Sequence, residues 1–267
     1  MLVVLRGGGD LASGVALRLH RSGFRVLITE LAQPLVVRRL VSFAEAVYRG
    51  EISVEGVHAR RAQNISQALS TLDMGMIPVL IDPHGACLSE LVPGVLVDGR
   101  MRKHPPELGM EAASLVIGLG PGFIAGENCH AVIETNRGHR LGYVVWHGAP
   151  EADTGIPESV MNQREERVLR APADGELVAY AEICEHLEQG QLVARVAGKA
   201  VYAPFAGVLR GILQSGISVY KGLKIGDVDP RDDPSYCSMV SDKSLAIGGG
   251  VLEAILSRSD LRSILWV

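Results

Sequence analysis

The sequence predicts an α/β fold. An N-terminal domain of alternating strands and helices spans residues 1–150, a linker 151–167, a small all-β domain 168–230 and a C-terminal helical tail 231–267. Three observations predict it. In the first half, short aliphatic runs lead into glycine turns and then into segments of helical period. Residues 151–167 (EADTGIPESVMNQREER) are polar and aperiodic, as a linker is. The stretch that follows aligns with itself at an offset of 32 residues.

The N-terminal domain opens with Leu2 to Leu5, an aliphatic run read as a strand buried on both faces. Gly7, Gly8 and Gly9 follow, and from Asp10 a helix carries Leu11, Val15 and Leu19 on one stripe with Ala12 and Ala16 beside it. Gly23 ends that helix, and Phe24 to Ile28 forms a second strand running into Thr29-Glu30. Gly7-x-Gly9-x-x-Ala12 matches the G-x-G-x-x-G/A dinucleotide fingerprint in its strand–turn–helix context, which makes the domain Rossmann-like. The glycines let a pyrophosphate approach the helix N–H groups, and Glu30 lies where an acidic residue would bond a ribose hydroxyl. Asp10 opposes this, since its carboxylate could cap the helix and repel an anion. Two readings stand: a site for a nucleotide or pterin nucleotide built on Gly7, Gly9, Asp10, Ala12 and Glu30, or a turn that only joins strand to helix.

Pro34 suits the first turn of a short helix carrying Arg38 and Arg39. Ile77 to Ile81 and Pro93 to Val97 read as further strands, ending in Asp82-Pro83-His84 and Asp98-Gly99-Arg100, both ordinary turn chemistry. Leu115 to Leu119 enters the loop IGLGPGFIAGEN, where Gly120 and Gly122 can present backbone N–H groups to an anion. In CHAVIETNRGHRLG, alternation puts His130, Val132 and Glu134 on one strand face and Ala131, Ile133 and Thr135 on the other. Arg137, His139 and Arg140 crowd the next turn. This clustering points to an acid–base site, with His130, Glu134 and His139 as proton carriers and Arg137 for phosphate. A solvated hairpin with charged edges is the plainer reading. No metal site is expected, because three well-placed ligands are not evident.

In the repeat, Ala171-Pro172 matches Ala203-Pro204, Gly175 matches Gly207, Leu177 matches Leu209, and Gly190 matches Gly222. Each copy reads as short strands with glycine turns, and two interleaved copies can close a small sandwich. The pattern resembles the biotinyl/lipoyl-type barrel-sandwich fold. The candidate carrier lysine, Lys199 in VAGKAVYAP, lacks flanking methionines, so the carrier function does not transfer and the domain reads as a scaffold or docking module. In the tail, SDKSLAIGGGVLEAIL suggests a helix capped by Ser241, in which Gly248 to Gly250 allow either close packing or a break.

A formal charge of −4 gives no general attraction to nucleic acid or anionic membranes, so neither is expected as a partner. No stretch approaches the roughly 20 apolar residues that span a bilayer, and no secretory signal is expected from a first apolar run that ends at Arg6. Cys87, Cys129, Cys184 and Cys237 form no CxxC pair, which fits reduced thiols and a cytoplasmic location.

RGGGDLASG, ITELAQPLVVRRLVSFAEAVY, VIGLGPGFIAG, HAVIETNRGHRLG, ERVLRAP and SDKSLAIGGGVLEAIL together resemble the YqeB-type proteins of selenium-dependent molybdenum hydroxylase systems, over nearly the whole chain. The resemblance implies an accessory protein for maturation of xanthine-dehydrogenase-type enzymes, with a molybdopterin-type cofactor as ligand and the hydroxylase apoenzyme as partner. Phosphates of such a cofactor suit a glycine turn and nearby arginines. An NAD(P)-dependent oxidoreductase, with Glu30 on the ribose and His130 or His139 moving a proton, is a second expectation. A non-catalytic scaffold that docks the hydroxylase through its repeat domain is a third.

Overall fold

The structure is a computed structural model, and it describes residues 1–102, 104–152 and 166–265. It is mixed α/β, with one large mixed sheet and two antiparallel sheets. The chain divides into two compact units. The first comprises Met1–Pro34, Ser42–Asp153 and Val240–Val267, and the second comprises Leu35–Val41 and Thr154–Met239. The tail therefore splits at residue 240, and the segment after Pro34 groups with the repeat. Most of the expected linker, 153–165, lies outside the described residues.

In the first unit the chain forms β1 (Leu2–Arg6), α1 (Asp10–Arg21), β2 (Arg25–Glu30), α2 (Ala46–Arg49), β3 (Glu51–Val54), β4 (Val57–Ala62) and α3 (Ile65–Asp73). It continues through β5 (Ile77–Ile81), α4 (Leu88–Leu91), β6 (Val95–Asp98), β7 (Leu115–Leu119), β8 (Ala131–Ile133) and β9 (Val144–Val145). The nine strands pair in the order β3-β4-β5-β2-β1-β6-β7-β8-β9. Every pairing from β4 to β8 is parallel, while β3 and β9 close the edges antiparallel. The central strands are aliphatic because both their faces are covered; Val3, Val4, Leu5, Val26, Leu27 and Ile28 are fully buried.

Two elements depart from expectation. Arg38 and Arg39 lie on no α-helix at Pro34; Arg39 only opens a single 3-10 turn, Arg39–Val41. Within the second unit, Arg38 donates to the carbonyls of Tyr236 and Met239, and Arg39 to that of Ile212. These main-chain bonds anchor an irregular, turned segment in place of a helix. The β3–β4 hairpin was not read from the sequence. Its loop, Glu55-Gly56, holds both residues at positive φ (45° and 83°), the geometry that Asn-Gly more usually signals.

In the second unit, β10 (Val168–Arg170), β11 (Gly175–Ala179), β12 (His186–Leu187) and β13 (Leu192–Val196) come from the first repeat copy. The second supplies β14 (Lys199–Tyr202), β15 (Gly207–Ile212), β16 (Ser218–Val219) and β17 (Lys224–Asp229). The sheets are β10-β17-β15-β12 and β14-β13-β11-β16, so each takes two strands from each copy and the second is the first with the copies exchanged. Each copy supplies the central pair of one sheet, β11–β13 or β15–β17, and the edge strands of the other. Across β10, β15 and β17 runs a buried ion network. Asp227, fully buried, meets Arg167 (2.6 Å), Arg210 and Lys224 (3.6 Å).

After the repeat, α5 (Asp242–Ser257) and α6 (Ser259–Arg262) return to the first unit. Ser241 caps α5 by accepting the Ser244 N–H at 3.1 Å. The glycines do not break this helix. A Cβ on Gly14 of α1 would sit 2.5 Å from the Ser244 Cβ, and one on Gly248 would sit 2.8 Å from the Gly14 carbonyl oxygen. The missing side chains let α1 and α5 touch backbone to backbone. Among the described residues no helix is long and apolar enough to cross a membrane.

Gly14→Ala is expected to cost about 1–3 kcal/mol by overpacking this contact, on urea denaturation. Gly249→Ala, on the same helix with nothing within 4 Å of its added Cβ, should instead gain about 0.5–1 kcal/mol. A second expectation concerns Asp227. Burial alone would raise its pKa, but Lys224, Arg210 and Arg167 outweigh it and hold the carboxyl below the ordinary range. Its contribution is therefore present above the unfolded value of about 3.9 and lost as pH falls through the folded one. Asp227→Asn should cost about 3 kcal/mol at pH 7, leaving buried cations uncompensated, and should flatten the acid limb of the stability curve.

Candidate functional site

The strand order reverses between β1 and β6: β2 and β5 are added on one side of β1, and β6, β7 and β8 on the other. In open parallel sheets, the carboxyl ends of the strands flanking such a reversal part and leave a crevice. Here those ends are Arg6 and Asp98, direct neighbours in the sheet register. The loops after β1, β2, β5, β6, β7 and β8 all emerge at this edge.

The glycine turn lies there, and much of it is enclosed by protein. Gly7 has φ of +87° and donates to the Thr29 carbonyl at 2.8 Å; a Cβ on it would stand 3.2 Å from Arg100 Cγ. A Cβ on Gly8 would meet the Ala44 nitrogen at 2.8 Å. The Gly8 carbonyl accepts from Ala44 N–H (2.9 Å) and from Ser13 Oγ (2.9 Å). The Gly8 N–H donates to Glu30 Oε2 at 2.7 Å, and Leu31 N–H donates to Glu30 Oε1 at 2.7 Å. Glu30 thus clamps the turn from the end of β2. Burial raises its pKa, opposed by the Gly8 and Leu31 hydrogen bonds and by Arg100.

Asp10 is the first residue of α1, not its N-cap. Gly9 is the N-cap and has no side-chain hydrogen bond, while the Asp10 carboxylate accepts from Ser244 Oγ at 3.0 Å. Asp10 is turned toward α5, and Ala12 is packed beside Gly99 of the neighbouring loop, whose added Cβ would stand 2.9 Å from the Ala12 Cβ.

Next to the turn stands a cluster of arginines that the sequence reading did not identify. Arg6 is 1% exposed. It donates to the Pro83 carbonyl (3.0 Å) and lies 3.6 Å from Asp98 and 3.4 Å from Glu107. Its Nε is buried without a hydrogen-bond partner among the described residues. Arg100 forks onto Asp98 (2.9 and 2.6 Å) and reaches Glu107 at 2.7 Å; Arg102 pairs with Glu107 as well. Burial, and then Arg100, lower the Arg6 pKa, while Asp98 and Asp82 act against that. The available signal was a lone cation ending an apolar strand, one register step from an aspartate.

The remaining predicted residues separate. Gly120 (φ +68°) and Gly122 (φ +104°) lie at the same edge, after β7. Gly120 donates to the Ile133 carbonyl, and Asn128 braces the Gly122 carbonyl. Glu134 is buried at the end of β8, its carboxylate accepting from Asn136 N–H (2.6 Å) and Glu151 N–H (2.7 Å), which makes it a loop brace. Arg137 forks onto Asp242 at the head of α5 (2.7 and 2.9 Å). His139 is exposed on the turn. His130 precedes β8 at the opposite edge, where its Nδ1 accepts from Val116 N–H (2.9 Å); burial, with Arg258, lowers its pKa. His130 and Glu134 are therefore not one acid–base pair.

Beside the arginines, an open cleft of about 620 Å³ at the end of β5 is lined by Asn64, Ile65, Leu80, Asp82 and Cys87 among others. Burial, with Asp82, pushes the Cys87 thiol up to about 12, so it is not a ready thiolate. Among the described residues no group of three or more His, Cys, Asp or Glu is placed to hold a metal ion.

The chain is similar to the uncharacterized protein YqeB of Escherichia coli (strain K12), with 46% identity over 255 residues. The match takes in 96% of this chain and 47% of YqeB, so the chain spans about half the length of that relative. No family model matches. Among solved structures, an aspartoacylase family protein from Mesorhizobium loti gives a TM-score of 0.28 at 12% identity, over 85% of this chain and 84% of its own. The product-bound ectoine utilization protein EutE (DoeB) from Ruegeria pomeroyi gives 0.27 at 12%, over 85% and 84%.

The Glu30 clamp has a measurable consequence. A raised carboxyl pKa means that ionisation opposes folding, so this contribution is lost as pH rises from the unfolded value of about 4.3 through the folded one. Urea midpoints of wild type between pH 4 and 7 should carry that decline, and Glu30→Gln should lack it.

Proposed function

We propose that the chain is an accessory protein for maturation of selenium-dependent molybdenum hydroxylases, and that it binds a molybdopterin-type cofactor or a nucleotide at the carboxyl edge of its parallel sheet. The observation that carries this reading is the reversal of strand order at β1 and β6, which brings the glycine turn, the Gly120–Gly122 loop and three arginines to one edge of the sheet. The order β5-β2-β1-β6-β7-β8 supports reading the first unit as Rossmann-like. The hydroxylase pathway rests on the resemblance to YqeB-type proteins. The interleaved repeat supports a barrel-sandwich reading of the second unit, as the surface that docks the apoenzyme.

Binding is favoured over proton chemistry. Of the three expected proton carriers, His130 is at the far edge, Glu134 is engaged by two amides and His139 lies on an exposed turn. The oxidoreductase reading needs Glu30 on a ribose, and both Glu30 oxygens already accept main-chain N–H groups.

The test is to purify the full chain from cells that make molybdenum cofactor, denature it, and analyse the released material by pterin fluorescence and mass spectrometry. A pterin or nucleotide near one per chain is expected. Protein that releases neither, and that neither cofactor nor nucleoside diphosphates stabilise thermally, would overturn the reading; tight NAD binding lost in Glu30→Ala would transfer it to the oxidoreductase.

A further inference from the structure

Glu107 stands out among the charges at this edge. Its side chain is half exposed, yet it meets three guanidiniums: Arg6 (3.4 Å), Arg100 (2.7 Å) and Arg102. Asp98 is the other carboxylate that Arg6 and Arg100 touch, and Asp82 adds a more distant negative charge acting on Arg6. One guanidinium, Arg6, is almost wholly buried and keeps a buried Nε donor unused. A cation placed out of water calls for full compensation, and Asp98, Glu107 and the Pro83 carbonyl leave its Nε unanswered.

We propose that Arg6, Arg100 and Arg102 form a phosphate subsite that Glu107 closes with its own carboxylate, and that a monosubstituted phosphate or a pyrophosphate displaces it. The subsite rests on the reading that a ligand binds at this edge, and it assigns the ligand's phosphate to a place beside the glycine turn. Arg6 reaches Glu107 from the end of β1, and Arg100 and Arg102 from its own connection, so three guanidiniums converge as suits a tetrahedral dianion with three acceptor oxygens better than a planar carboxylate. Glu107 sits on the irregular 99–114 connection; its pair with Arg102, both half in water, contributes about 1 kcal/mol or less, and an incoming dianion takes over its pairing with Arg6 and Arg100. Among the described residues, that side chain forms hydrogen bonds and ion pairs with these arginines alone.

Isothermal titration of the full chain with inorganic phosphate, pyrophosphate and ADP at low ionic strength tests this. Glu107→Gln should bind pyrophosphate about tenfold more tightly than wild type, and the gain should shrink in high salt. Arg102→Gln in the same background should reverse the gain; Arg102 pairs with Glu107 at the surface, so its loss leaves the fold intact, checked by thermal melting. Glu111→Gln, on the same connection, should bind as wild type does. Equal affinity for pyrophosphate and ADP supports a subsite for phosphate alone, and tighter ADP supports one within a nucleotide site. Should Glu107→Gln bind no more tightly than wild type, or Arg102→Gln leave the gain intact, the subsite is overturned. If the purified wild type nonetheless carries a pterin or nucleotide, the proposed function survives that failure.

Discussion

A guanidinium cannot leave water without partners, and Arg6 has left it. That constraint organises the carboxyl edge of the large sheet. Arg6 ends β1, so its partners must come from loops that meet there: the Pro83 carbonyl after β5, Asp98 at the end of β6, and Glu107 on the connection to β7. Asp98 in turn orients Arg100, whose backbone and Cγ close one side of Gly7. The glycine turn, the Asp98 turn and the long connection are thereby positioned by one buried charge. An aliphatic residue at position 6 would extend the core and leave these loops without a common anchor.

The same arithmetic explains why the glycine turn does not behave as a simple anion cradle. Gly8 gives its N–H to Glu30, a carboxylate placed 22 residues later at the end of the adjacent strand. The protein has supplied its own anion to one amide of the turn, just as Glu107 supplies one to the arginines. Asp10 adds a third negative charge near the head of α1 but spends it on Ser244. An incoming phosphate meets negative side chains around the turn and three guanidiniums beside it, so the arginines set where its charge can rest.

Much of this fold was legible because local pattern and tertiary packing agree. The run from Leu2 to Glu30 spells strand, turn, helix and strand, and the structure follows it within a residue or two. The repeat also reads clearly, since its matched glycines and aliphatic residues recur at matched strands. What failed was inference from face to edge. Alternation assigns His130 and Glu134 to one face of a strand, but four residues along a strand extend about 13 Å, enough to place them at opposite edges of the sheet. Arg6 was passed over because a single cation after an apolar run looks like the place where burial stops. Only the parallel register, which sets Arg6 beside Asp98, shows that burial continues through it. The glycines of α5 were ambiguous for a related reason: whether they break or pack depends on α1, more than 200 residues earlier, presenting Gly14 to them.

Two charge networks of the chain use the same residue types to opposite ends. In the repeat unit, Asp227 is fully buried among Arg167, Arg210 and Lys224, strands on both sides enclose it, and no solute can exchange with it without opening the sheet. At the edge of the large sheet the central anion is Glu107, half in water and carried by an irregular connection. A carboxylate surrounded by cations is a structural lock when water and competitors are excluded, because removing it strands the buried cations. Where the carboxylate faces solvent, its place can be taken by any anion that compensates the cations better, and the cost of exchange is small. Exposure, not composition, separates the strut from the exchangeable contact.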